Sequence, residues 1–180
     1  FGLDVTAAWL REGPRHAILQ SLTEEIGEQC ELGILQANQV VYIDGGRTAF
    51  PASLHFEPGL HAPVHCTSIG KLFLASLSDD ARRNLIESMK LSRFTPRTIV
   101  DPQQLTSEVT LVRRDDFATS NEEYVVGVVG CGVPVRGPRK RIVAGLAISV
   151  PSARISFKEL PTFIPALRRA AARLEVSLEQ

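Results

Sequence analysis

The stretch Gly59–Lys71, Gly-Leu-His-Ala-Pro-Val-His-Cys-Thr-Ser-Ile-Gly-Lys, decides how the rest of this chain is read. Pro58 and Pro63 make its first half an irregular loop, and Ile69, Leu72, Phe73 and Leu77 then fall on one side of a helix. Thr67 and Ser68 stand where a helix start needs capping oxygens. Such a start leaves backbone N–H groups without intrahelical partners and carries a partial positive charge, so it can receive a carboxylate or phosphate. The alternative is that the two hydroxyls cap the helix and do nothing else. Gly70 costs a helix about 1 kcal/mol relative to Ala and marks a close backbone approach.

Upstream, Ile18, Leu22 and Ile26 recur at i+4 spacing beside Leu19, which predicts a helix from Pro14 to Cys30. Residues 31–37 and 39–44 are β-rich runs separated by Asn38 and read as two paired strands, ended by Gly45-Gly46. Residues 48–56 read as a further strand or an extended loop. Leu3 to Arg11 reads as a short helix broken by Gly13-Pro14.

Downstream, Ser78 with Asp79 and Asp80 signals a second helix start, with Leu85, Ile86 and Met89 on its buried side. Asp101-Pro102 repeats the signal ahead of Leu105, Val109 and Val112. Val125–Val135 and Arg141–Val150 form a hairpin around Gly137-Pro138, and their near-continuous apolarity predicts burial on both faces. A closing helix is expected over Thr162–Leu178. Strands cluster instead of alternating with helices, so the fold class is α+β with an antiparallel sheet.

With 180 residues and 44% hydrophobic side chains, the chain can bury one full core. Twenty basic and 20 acidic side chains leave no net charge, unlike a self-sufficient nucleic-acid binder. The four charges between Arg136 and Arg141 suit a solvated hairpin tip. No apolar run is long enough to span a membrane and no secretory signal is visible. Cys30, Cys66 and Cys131 are widely spaced without a Cys-x-x-Cys pair, so we expect a reduced, cytoplasmic setting with no disulfide frame and no zinc site. The first residue is Phe1, and residues 1–13 read as the tail of a linker from a missing upstream domain, with 14–180 as the domain proper.

Several residues invite sharper chemistry. A thiol enzyme would want a pair such as His65 and Cys66, but sequence neighbours rarely acquire the geometry that activates a nucleophile. His55, His61 and His65 lack metal-ligand spacing on one helical face, and no metal is expected. Lys71 could counter a carboxylate, but a structural contact is the better reading. Glu122 and Glu123, taken as strand neighbours, would point to opposite faces and support the fold instead of forming an acid/base pair. The glycines at 127, 130 and 132 precede no helix start, so they read as sheet glycines beside a ligand or a bulge, and not as a phosphate loop.

Four landmarks then follow in order. They are Gly59-x-x-x-Pro63-x-His65-x-Thr67-x-x-Gly70-Lys71; Thr95-x-x-Thr98-Ile99-x-Asp101 with Leu105-x-x-Glu108-Val109-x-x-Val112-Arg113; Phe117-Ala118 with Glu122-Glu123 and Gly127; and Pro134-Val135 with Ala144-x-Leu146-x-x-Ser149-x-Pro151-x-x-Arg154. Spread over residues 15–178, they resemble the effector-binding domain of the IclR family of bacterial transcriptional regulators. The resemblance implies a GAF-like fold, a curved antiparallel sheet of about six strands flanked by helices on both sides. It also implies a missing winged helix-turn-helix domain as the only route to DNA, and assembly into homodimers or homotetramers.

Family pocket positions carry over to Ser68, Ile69, Ser120, Gly130, Ala147 and Ser149, with Cys66, Thr67 and Cys131 added by adjacency. Ala147 and Ser149, two apart on a strand, share a face. The sequence departs from the family at His61, where Arg is common, and at Cys66 and Ser68, which replace alanines. Ser120 and Gly130 stand where Asp and Cys are frequent. Losing a carboxylate at 120 and volume at 130 points to a larger cavity and an effector beyond the smallest keto acids. The expectation is therefore a ligand sensor, not an enzyme, that binds a small organic acid without a cofactor or metal. The competing readings are a Cys66- or serine-based enzyme on the same scaffold, and a constitutive dimerisation module with a vestigial pocket.

Overall fold

The computed structural model describes residues 12–49 and 57–179. Six strands form one antiparallel sheet: β1 Cys30–Gln36, β2 Gln39–Gly46, β3 His61–Pro63, β4 Ala118–Asn121, β5 Val128–Arg136 and β6 Ile142–Pro151. Their order across the curled sheet is β3-β2-β1-β6-β5-β4. Five α-helices accompany it among the described residues: α1 Glu12–Ile26, α2 Ser68–Ser76, α3 Asp79–Ser88, α4 Pro102–Asp115 and α5 Ile164–Leu178. The class is α+β, as the clustering of strand signals predicts. None of these helices is long and apolar enough to cross a membrane.

The turns follow local chemistry. Ala37 and Asn38 close the β1–β2 hairpin at φ 50° and 60°, the left-handed pair that matches strand twist. The β5–β6 hairpin closes through a short 3-10 turn at Pro138–Lys140. Ser78 and Asp101 cap α3 and α4, accepting from the amides of Ala81 and Gln104.

Strand alternation sorts the side chains. Leu32 of β1, Val129, Cys131, Val133 and Val135 of β5, and Ala144, Leu146, Ile148 and Val150 of β6 pack under α1 and α5 with Leu19, Leu22, Leu167 and Leu174. The opposite face carries Val40, Tyr42 and Ala147, and packs under α2, α3 and α4 through Ile69, Phe73, Ile86 and Val109. Both faces of β5 and β6 are covered, which explains their unbroken apolarity.

Some boundaries differ from the sequence reading. Helix α1 stops at Ile26 because Gly27 turns left-handed at φ 73°. Residues 61–63 form a short edge strand inside the presumed loop. Strand β4 has a polar, four-residue sequence without a β signal. Val125 and Val126 lie in a turn, so β5 begins at Val128, and Glu122 sits at φ 55°. Glu122 and Glu123 therefore lie outside the strands and do not alternate as strand neighbours. Residues 48 and 49 are not strand, while 50–56, the short helix over Leu3–Arg11 and His55 lie outside the described residues.

Candidate functional site

Helix α2 is held against the sheet by three glycines. A Cβ on Gly70 would stand 2.3 Å from the Val64 Cα, so the loop backbone crosses the helix at a distance only glycine permits. On the sheet, a Cβ on Gly145 would meet the Ile69 Cγ2 at 2.8 Å and one on Gly33 the Ile69 Cδ1 at 3.1 Å. The Ile69 side chain thus plugs a notch in the sheet, which brings the start of α2 down to the strands. Thr67 caps that start. Its Oγ1 accepts from the Gly70 amide at 3.2 Å and donates to the Pro63 carbonyl at 2.7 Å. The amides of Ser68 and Ile69 have no protein acceptor among the described residues.

Beside those amides lies a small hollow of about 30 Å³, partly open to solvent. Cys66, Thr67, Ser68 and Ile69 form one wall, and Ser120, Gly130, Ala147, Ser149 and Glu31 form the floor. The floor is set by register, since Gly130 pairs with both Ser120 and Ser149, and Glu31 pairs with Ala147. Ser120 Oγ donates to the Cys66 carbonyl at 3.2 Å, tying β4 to the loop ahead of α2. Tyr42 closes one side, and Tyr124, Val125 and Val128 the other. Tyr124 stands edge-on to Phe94, with ring centroids 5.1 Å apart.

Eight of the nine sequence-predicted positions line this hollow: Cys66, Thr67, Ser68, Ile69, Ser120, Gly130, Ala147 and Ser149. Cys131 does not. It sits on the opposite face of β5, fully buried under α5, with its Sγ 3.7 Å from the Leu160 carbonyl. Adjacency to Gly130 placed it in the candidate set, but the period-two alternation that unites Ala147 and Ser149 separates Gly130 from Cys131. Gly130 does more than leave room. A Cβ there would stand 2.7 Å from the Ile148 carbonyl oxygen, so any side chain would push β5 away from β6.

The sequence reading missed Glu31, Tyr42, Tyr124, Val125, Val128 and Val129. Glu31 was findable, because it interrupts an otherwise apolar strand and only 2% of its surface is exposed. Its Oε1 accepts from Ser149 Oγ at 2.6 Å, and burial lifts its pKa from the ordinary carboxylate range to about 8 against the pull of that hydrogen bond.

The enzyme reading fares poorly. Burial, then the charge of Glu123, pushes the Cys66 thiol up to about 12, and the neighbouring His65 Nε2 is bonded to the Ser92 carbonyl at 2.9 Å. His61 bonds instead to Gln39. Lys71 is wholly buried and structural. Its Nζ donates to both Glu123 oxygens at 3.0 and 2.8 Å, to Glu108 at 3.1 Å and to the Thr119 carbonyl at 2.8 Å. Thr95 and Thr98 hydroxyls hold the Glu122 and Glu123 carbonyls at 2.6 Å, fixing the segment that leads to Tyr124.

Comparison with known proteins adds to this geometry. Residues 14–176 match the family model described as bacterial transcriptional regulator IclR C-terminal. SauR of Cupriavidus necator, described as a probable transcriptional regulator, is 39% identical over 165 residues, covering 90% of this chain and 66% of that protein. The chain thus spans about two thirds of that relative's length. Among solved structures, the C-terminal domain of Escherichia coli KdgR superposes with a TM-score of 0.80 at 26% identity, covering 98% of this chain and 99% of that one. A double mutant of the PobR inducer-binding domain from Acinetobacter, in complex with 3-hydroxybenzoic acid, gives a TM-score of 0.83 at 26% identity, covering 89% of this chain and 94% of that one.

Proposed function

Because the chain belongs to the IclR family of bacterial transcriptional regulators and corresponds to their C-terminal domain, we propose that it senses a small organic acid in the hollow beside α2. The family's named members are regulators and not enzymes. The observation that carries the reading is the pair of unpaired amides, Ser68 and Ile69, at a capped helix start that faces a small, partly open hollow. In this reading the acid's carboxylate accepts from those amides, with Thr67, Ser120 and Ser149 hydroxyls around it. Its apolar body packs among Tyr42, Tyr124, Val125 and Val128. The 3-hydroxybenzoic acid in the PobR complex supports an aromatic acid as one class of occupant.

Residues 1–13 then lead to a winged helix-turn-helix domain, and the protein acts as a cytoplasmic homodimer or homotetramer that meets DNA only through that domain. Ligand binding biases subunit geometry to the extent that affinity differs between two arrangements of the Gly59–Lys71 loop.

A thermal-shift screen with benzoate, 3-hydroxybenzoate, succinate and gluconate tests this. At least one acid should raise Tm in a saturable way, worth about 2.7 kcal/mol at a hundredfold excess over Kd. Ser68→Glu places a negative side chain at the amides and should abolish the shift. No stabilisation by any of the acids, or an unchanged affinity in Ser68→Glu, would overturn the proposal.

A further inference from the structure

Glu31 is the one group of the hollow that this reading leaves without a task. It stands on β1 with its carboxyl in the hollow, and Oε1 accepts a hydrogen bond from the Ser149 hydroxyl. Oε2 has no protein partner among the described residues. Among the described residues, no cation lines the hollow. The titratable groups around Glu31 among these residues are Tyr42 on β2, Cys66 ahead of α2 and Tyr124 on the segment after β4, with Cys30 and Cys131 behind it through the sheet. Burial raises the pKa of each: the thiols to about 11 for Cys30 and about 12 for Cys66 and Cys131, and both phenols above their ordinary value. All five are therefore uncharged around neutral pH. The buried cation Lys71 is committed to Glu123, Glu108 and the Thr119 carbonyl.

A carboxylate shut away from water with one hydroxyl and no cation takes a proton instead. An ionised Glu31 would also repel the anion that the α2 amides attract. We propose that Glu31 acts as a carboxylic acid, donating a hydrogen bond from Oε2 to an acceptor oxygen of the effector, so that the hollow takes up an organic anion only while Glu31 carries its proton. The inference rests on the acid-sensing reading above and sharpens it. It makes Glu31 a specificity-determining residue that favours effectors rich in acceptor oxygens (carboxylate, keto or sulfonate) over amines and other donors. The proton stays on Glu31, and no bond is made or broken. The upward displacement of its pKa to about 8 agrees with this role.

Two measurements on the purified chain test it. In the free protein, the carboxyl ¹³C signal that disappears in Glu31→Gln should titrate near pH 8, and titration in the ordinary glutamate range near about 4.3 would overturn the inference. In calorimetric titrations with benzoate and succinate, both fully ionised throughout, the wild-type Kd should rise about tenfold from pH 7 to pH 9. Glu31→Gln, whose amide donates at every pH, should remove that rise and bind more tightly than wild type at pH 9. Binding that is equally tight at pH 7 and 9 in the wild type, or that strengthens at high pH, overturns the inference and leaves the pocket standing. No binding of benzoate, 3-hydroxybenzoate, succinate or gluconate at pH 6, where Glu31 carries its proton, overturns both.

Discussion

The two faces of one sheet do different work. Under α1 and α5 the core side chains of the strands are aliphatic or thiol, and the charged Asp44 of β2 is paired with Arg15 of α1. Under α2, α3 and α4 the same strands present glycines, hydroxyls and a carboxylic acid, and the layer contains a space. Two buried ionisable groups on that second side show how to tell support from function. Lys71 has four oxygen partners within 3.1 Å, whereas Glu31 has one hydroxyl and an open oxygen. A buried charge whose partners are all protein holds the fold together. A buried carboxyl left partly unpaired beside a cavity is available to something else.

The comparison can be broken most severely at Lys71. Lys71→Met keeps the stem but strands Glu123 without its cation, and should cost about 4 kcal/mol in chemical denaturation. Adding Glu123→Gln should recover a large part of that loss, and simple additivity would show that the two do not form a unit. Next, Leu167→Ala opens a cavity on the apolar face and should cost about 3 kcal/mol. Its affinity for benzoate should stay at the wild-type value, and a changed affinity would mean that the faces are coupled. Smallest in stability is Thr67→Ala, worth about 1 kcal/mol as a lost helix cap. Benzoate binding should nonetheless weaken severalfold, because Thr67 positions the amides at 68 and 69. A variant that loses stability alone would place the recognition elsewhere.

Much of this division was legible in the sequence. Helix stripes, caps at Thr67, Ser78 and Asp101, and the β5–β6 hairpin follow from local periodicity and turn chemistry, which act over a few residues. The wall of the hollow was equally readable, since Cys66 to Ile69 are contiguous. The floor depends on register across four strands, and that is where the reading thinned. Strand β4 carries no apolar alternation, because it is a polar edge held by pairing with β5. Glu31 lies 118 positions from Ser149 and meets it only when β1 pairs with β6. Strand parity is local too: one residue beyond Gly130, Cys131 turns to the opposite face of β5, by the same rule that keeps Ala147 and Ser149 together.

The Val64–Gly70 crossing has a mechanical consequence. With backbone packed on backbone, Val64 and the first turn of α2 cannot slide past one another and move together. A tug on the amides at 68 and 69 is therefore passed to Val64 and His65, and through His65 to the Ser92 carbonyl in the segment after α3. Ahead of this unit, β3 and the Gly59 amide are pinned to β2 and give it a fixed anchor.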